Sequence, residues 1–268
     1  MKQITWIFAS IFILFPISAQ AQNNTQLTPE GSGLAIAQEA SRRNEGYGDT
    51  TVKLVMELRS VDGRTRERAL TWKTLEAVQP GEGDKSLTVF HEPRDIAGTG
   101  FLSHTHVTGE DDQWLYLPSL KRVKRIASSN KSGSFVGSEF SYEDLLSDEV
   151  EKFTYRWLRD EPCGAWECFV VERVPAYDNS GYRRQVIWLD KAEYRIHKTE
   201  FYNLDDKLEK TLTFDGYRQY LDRFWRAHVL LMESIQTGKS TQLVFDTYDF
   251  QTGLTEQDFS PDTLKRIR

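Results

Sequence analysis

Residues 51–58, TVKLVMEL, and 64–75, RTRERALTWKTL, are joined by Asp62-Gly63. In the first run Val52, Leu54, Met56 and Leu58 alternate with Thr51, Lys53 and Glu57, and only Val55 is out of phase. In the second, Leu70 and Trp72 share one phase, with Lys73 and Thr71 on the other. Successive side chains of a strand point to opposite faces, so this is a hairpin with one apolar and one charged face. The apolar face must be covered, and the face carrying Lys53, Glu57, Arg59 and Lys73 must meet water.

The same spacing continues outward. Further strands are expected at 86–91, 100–107, 113–117, 121–126, 153–159, 167–174, 183–189, 195–203, 207–217, 226–236 and 239–250. With the first hairpin these make about thirteen runs without a linker, which predicts one large antiparallel sheet or barrel. A helix is expected at 34–44, LAIAQEASRRN, ended by Gly46 and Gly48. Residues 22–33 read as a flexible arm. Residues 128–148, SSNKSGSFVGSEFSYEDLLSD, interrupt the strands with a Ser/Gly-rich loop and then an acidic amphipathic stretch.

Composition narrows the function. The 268 residues carry a net charge of −6, which disfavours nucleic acid as a partner. Hydrophobic residues make up 39% and mean hydropathy is −0.55, which excludes a multi-span membrane protein. Residues 1–21 have the form of a secretory signal: Lys2, an apolar run from Ile4 to Ile17, then Ala19-Gln20-Ala21. No cysteine follows that run for lipid attachment. The chain is therefore expected in a Gram-negative periplasm, with residues 34–268 forming its folded domain. In that oxidising compartment Cys163 and Cys168, at a hairpin tip, are expected to pair as a structural staple.

Catalytic motifs are missing: there is no G-x-S-x-G, no H-E-x-x-H and no phosphate-binding glycine loop. His91, His104 and His106 could meet on one sheet face as a zinc site, but no supporting ligand motif accompanies them, and no metal or cofactor is expected. Asp111-Asp112 and Asp205-Asp206 read as turn residues. Lys121, Arg122, Lys124 and Arg125 precede the acidic Glu139, Glu143 and Asp144. The simpler expectation is that these groups pair and dock 128–148, with Tyr142 and an inward-pointing Phe140, over the sheet edge. Contact of the cations with lipid phosphates is the alternative. Both faces of several strands are apolar, so a self-filled core and an apolar cavity both account for the pattern. In the cavity account Val52, Leu54, Met56, Leu58, Leu70, Trp72, Val89, Phe101, Trp114, Tyr116, Phe140 and Trp188 line it.

One segment is less generic. Residues 114–146 contain Tyr116-Leu117-Pro118, the basic strand 121–125, the Ser/Gly loop and Phe135-x-Gly137-Ser138-x-Phe140-Ser141-Tyr142-x-Asp144-Leu145. This resembles the signature of the outer-membrane lipoprotein-sorting protein family, a LolA-like group. Residues 33–49 are similar to that family's opening helix, and 188–198, WLDKAEYRIHK, to its strand-turn-strand. The resemblance implies a mainly β, unclosed half-barrel with lid helices over its concave side. It also implies a non-enzymatic carrier of lipid or lipoprotein acyl chains, working with an RND/MMPL-type inner-membrane exporter and in transient contact with membranes. A ligand-sensing envelope regulator on the same fold, or an unrecognised enzyme using His104 and His106, are the rival expectations.

Overall fold

The computed structural model describes residues 27–77, 79 and 81–267. The signal-peptide expectation lies outside them. The helix α1 runs Pro29–Asn44, five residues earlier than expected. Its start is set by Thr28, whose side chain accepts a hydrogen bond from the Gly31 amide at 3.2 Å, and by Pro29 in the first turn. Gly31 and Gly33, read in the sequence as part of a loose arm, are helical. Gly33 has a packing reason: a Cβ there would sit 2.7 Å from the backbone nitrogens of Arg156 and Trp157. Only glycine lets the helix lie this close to the strand beneath it.

Strands follow at Asp49–Arg59 (β1), Thr65–Leu75 (β2), Glu82–Glu92 (β3), Gly100–His106 (β4), Asp112–Leu117 (β5), Arg122–Ile126 (β6), Phe153–Cys163 (β7), Trp166–Pro175 (β8), Tyr182–Asp190 (β9), Ile196–Asn203 (β10) and Leu208–Asp215 (β11). Then come Arg218–Tyr220 (β12), Phe224–Arg226 (β13), Val229–Ser234 (β14), Ser240–Phe245 (β15), Asp249–Phe250 (β16) and a short helix, Pro261–Leu264 (α2). β12 and β13 pair with each other as a separate hairpin, in the stretch between the expected strands 207–217 and 226–236.

The large sheet has the order β6-β5-β4-β3-β2-β1-β15-β14-β11-β10-β9-β8-β7 and is antiparallel throughout, with β16 added against β1. β6 and β7 are its free edges, so it is an unclosed half-barrel. β6 and β7 are also consecutive in sequence. The chain from 127 to 152 must therefore cross from one edge of the sheet to the other. It does so over the inner face, the face on which α1 also packs.

Register fixes which side chains point inward. Val52 faces Trp72, Leu54 faces Leu70, Leu70 faces Phe90, and Phe101 faces Leu115. Val52, Leu54, Met56, Leu70, Phe90 and Phe101 are all buried in the inner cluster, and Leu58 and Trp72 pack against it. The outer face is not bare. The tail 254–267 folds over β3–β5, where Phe259 and Leu264 bury against Leu87 and Leu102.

Candidate functional site

The inner face and the crossing segment 127–152 form the site. Phe135, Phe140 and Leu145 of that segment enter the inner apolar cluster and are 1%, 2% and 6% exposed. The Phe135 ring lies 5.8 Å from Phe90 and 5.1 Å from Phe101, and Tyr142 lies 5.5 Å from Phe101. Burying three such side chains favours the closed arrangement by about 1.5–3 kcal/mol each.

Polar bonds hold the segment at both sides of the trough. From β2, the half-buried Arg68 donates from Nη1 to the Val136 carbonyl at 2.7 Å. Burial lowers its pKa from the ordinary arginine value. From β11, Lys210 reaches the Asp144 carboxylate at 2.6 Å and the Glu139 carbonyl at 3.2 Å. The Tyr182 hydroxyl donates to Asp144 at 2.7 Å; burial pushes its pKa well up, and the charge of Asp144 adds to this. Glu143 accepts from the Tyr177 hydroxyl at 2.7 Å and from the Gly181 amide at 2.9 Å. Gln113 donates to the Tyr142 carbonyl at 2.7 Å. Further along, Arg173 meets Asp148 at 2.8 Å, and Lys152 pairs with Asp111.

Beneath this cover is a cavity of about 170 Å³. Trp72, Phe140, Phe201, Leu212 and Leu243 form its apolar wall, and Asp111, Lys152, Arg173 and Gln185 its polar wall. At ~30 Å³ per water this is room for only a handful of waters, and it is below the ~300 Å³ at which small-molecule pockets begin. An extended acyl chain needs the space that Phe135, Phe140 and Leu145 now fill.

Several expected positions are corrected by the register. Val89, Trp114 and Tyr116 are on the outer face, packed under the tail. Trp188 is also on the outer face, beside Cys168, Val170 and Val186, with the Lys198 ammonium 3.6 Å above its ring. In these strands both faces are buried, so alternation alone gave no phase. Of the expected cavity residues, Trp72 and Phe140 border the present cavity, while Val52, Leu54, Met56, Leu58, Leu70 and Phe101 sit in the surrounding inner cluster.

The expected pairing of Lys121, Arg122, Lys124 and Arg125 with Glu139, Glu143 and Asp144 does not form. Arg125 bonds Asp112 instead. By residue 139 the crossing segment is already over β15, where the Glu139 amide donates to Thr241 Oγ1 at 3.0 Å. Asp111, read as a solvated turn residue, is buried against Lys152. Arg68, Phe90, Phe135, Tyr182 and Lys210 were missed as site residues. Arg68 and Lys210 had a visible signal, since each falls in the inward phase of its strand.

The three histidines have separate partners. His91 meets Thr71 Oγ1, His104 the Phe259 carbonyl, and His106 the Asp112 carboxylate. Among the described residues no group of three or more His, Cys, Asp or Glu is placed to hold a metal ion. Cys163 and Cys168 are disulfide-bonded at the β7–β8 tip. No helix among the described residues is long and apolar enough to cross a membrane.

An unclosed antiparallel sheet with a helix and a crossing segment on its inner face defines the LolA-like half-barrel class. A LolA superfamily protein from Nitrosomonas europaea shares that fold at 18% identity, with a TM-score of 0.68 over 88% of this chain and 99% of the other. An outer membrane lipoprotein-sorting protein domain from Vibrio parahaemolyticus is 53% identical, with a TM-score of 0.85 over 88% of this chain and 99% of that one. A DUF1329 family protein from Desulfovibrio piger is 26% identical, with a TM-score of 0.84 over 89% and 100%. A family model described only as an uncharacterized protein matches residues 82–266. Among proteins with curated descriptions, none matches the chain. The chain belongs to the outer-membrane lipoprotein-sorting protein family, as the resemblance at 114–146 implied, and its fold is LolA-like.

Proposed function

We propose that this protein is a periplasmic carrier, released from a cleaved signal at residues 1–21, that holds an acyl chain of a lipid or lipoprotein on its inner face. The observation that supports this reading is the inner face itself. It is a continuous apolar trough whose cover is tethered by polar bonds and plugs it with Phe135, Phe140 and Leu145. Lifting 133–145 exposes aromatic and aliphatic surface of the kind that an acyl chain fills, at about 0.8 kcal/mol per buried CH₂. Met56 and Met232, both fully buried in the trough, supply flexible side chains that adapt to a chain of variable shape. Binding and release of this sort need no covalent chemistry. Cargo is handed over in transient contact with a membrane and an RND/MMPL-type inner-membrane exporter.

The test is titration of a fluorescent fatty-acyl probe. Leu54 is 3% exposed in the trough, and its neighbour Lys53 is exposed on the outer face. Leu54→Glu is expected to abolish probe binding, because an unpaired carboxylate then faces the chain. Lys53→Glu is expected to bind as the wild type does. Equal probe affinity in the two variants, both shown to be folded by circular dichroism, would rule the trough out as the acyl site.

A further inference from the structure

Four of the six most exposed large hydrophobic side chains among the described residues gather at one end of the sheet, Leu27 and Leu221 lying elsewhere. Among the described residues the three most exposed are Val61 at 70%, Leu204 at 66% and Leu120 at 63%; Ile235 is 55% exposed. Each sits at a hairpin turn, where geometry asks for Gly, Asn, Asp or Ser and not for an aliphatic. Register places these turns on a single rim. Arg59 is opposite both Thr65 and Ser240, so turns 60–64 and 235–239 are neighbours, and a Cβ on Gly238 would touch Val61 at 3.6 Å. The Ile235 amide donates to the Glu209 carbonyl, which sets turn 204–207 next in line. On the other side Ala69 pairs with Glu92, and a Cβ on Gly98 would lie 3.2 Å from Pro118 Cγ, which brings in turn 118–121 and Leu120. Hairpin turns along such a sheet are spaced two strands apart, ~10 Å.

Cations accompany the aliphatics. Lys121, Arg122 and Lys124 follow Leu120, are exposed, and make no ion pair among the described residues; only Arg125 of that run does. Arg64, Lys207 and Lys239 stand in the other three turns. The acids there are Asp62, paired with Arg64, Asp205 beside Lys207, and Asp206, paired with Arg184. Thus the corner at Leu120 is cationic on a chain whose net charge is −6. The tip of the crossing segment ends at this same rim, where Thr237 Oγ1 donates to Glu139 at 3.5 Å and Arg68 holds Val136.

We propose that this rim is a docking surface for an anionic lipid bilayer, with Val61, Leu120, Leu204 and Ile235 entering the interface and Lys121, Arg122 and Lys124 meeting lipid phosphates. Aliphatic tips strung along the rim, with Leu120 four strands from Val61, would need separate pockets on a protein partner, whereas a bilayer accepts each one independently. Unpaired cations beside the tips complement anionic headgroups. Docking there brings the membrane against the tip of the cover. The inference rests on the carrier reading for its biological sense but not for its test.

The experiment is co-sedimentation with vesicles of phosphatidylcholine mixed with phosphatidylglycerol, and with phosphatidylcholine alone. The wild type is expected to bind the mixed vesicles more tightly. The combined variant Val61→Asn, Leu120→Gln, Leu204→Asn, Ile235→Thr is expected to bind roughly tenfold or more weakly, since four partly inserted aliphatics are lost. Lys121→Glu with Arg122→Glu and Lys124→Glu is expected to erase the preference for phosphatidylglycerol. All these positions are exposed, so an unchanged melting temperature is the folding control. Failure of the wild type to bind either vesicle overturns the proposal, as does wild-type affinity in the aliphatic variant. Loss of crosslinking to an inner-membrane protein with vesicle binding intact overturns it in favour of a protein interface. Acyl-probe titration of the rim variants separates the two readings: unchanged probe affinity with lost vesicle binding assigns the defect to the rim.

Discussion

Replacing Arg68 by Met tests whether the crossing segment is a latched cover or simply part of the core. The guanidinium donates from Nη1 to the Val136 carbonyl at 2.7 Å and lies 3.8 Å from Met56 Sδ, the residue directly opposite on the neighbouring strand. Met keeps the stem's packing and removes the donor. Val136 is held at φ +49°, a conformation that a β-branched residue resists by about 1–2 kcal/mol, and Gly137 follows at φ +76°. The Arg68 bond therefore offsets local strain as well as satisfying a carbonyl. A hydrogen bond to a charged group is worth about 1.5–3 kcal/mol, but Arg68 is half-buried and gives up hydration in making it, so about 1–2 kcal/mol is the expected net loss. That is a roughly 5–30-fold rise in the open fraction of the tip. Hydrogen exchange reads it directly. The Phe135 and Ser138 amides donate to the Phe140 and Phe135 carbonyls, at 2.7 and 2.9 Å, and should lose protection by that factor. The ladder amides between β1 and β2, which exchange only on global unfolding, should lose less, because the apolar Met side chain regains part of the loss by its burial on the inner face. Unaltered protection at 135–140 in Arg68→Met would refute the latch.

Two further outcomes follow from the geometry. Glu149, where the cover leaves for β7, has its pKa raised to about 7, first by burial and then by the charge of Asp84. A folded-state pKa above the unfolded one means that the folded protein keeps this proton longer, so stability falls as pH rises from about 4.5 through 7. Glu149→Gln should therefore match the wild type in urea melts near pH 4.5 and exceed it at pH 8, by about 1 kcal/mol once partial solvent exposure is allowed for; equal midpoints at pH 8 would count against it. Cys163 and Cys168 close a very short loop, so the double Ser variant should lose about 2 kcal/mol while still folding, and thiol titration of the unreduced wild type should find no free thiol.

The sequence showed its faces most clearly where one face was charged. In β1 and β2, Lys53, Glu57 and Lys73 mark the water side, and Val52, Leu54, Leu70 and Trp72 could only point inward. In β5 the pairs Trp114/Tyr116 and Leu115/Leu117 are equally apolar, because the tail with Phe259 and Leu264 covers the outer face as the crossing segment covers the inner one. Alternation carries no phase in such a strand. Trp188 misled for the same reason, since the outer face at β8–β9 is closed by its own cluster. The path of residues 127–152 was hidden differently. Periodicity finds strands but does not say which two are edges, so the nearest opposite charges in sequence looked like the natural partners.

One local signal did encode that path. Arg68 is in phase with Leu70 and Trp72, and Lys210 is in phase with Leu212 and Phe214, so each is a cation on an otherwise apolar face. A buried cation is tolerated only if something crosses that face to accept its hydrogen bonds. The two lie on opposite sides of the trough, on β2 and β11, and both bond the same segment, at the Val136 carbonyl and at Asp144. An acyl chain offers neither cation an acceptor. Displacing the cover therefore costs these bonds, whereas displacing Phe135, Phe140 and Leu145 by hydrocarbon exchanges one apolar contact for another. The polar bonds, more than the apolar plug, thus set how readily the trough opens, and they are where substitution should alter cargo exchange without altering the fold.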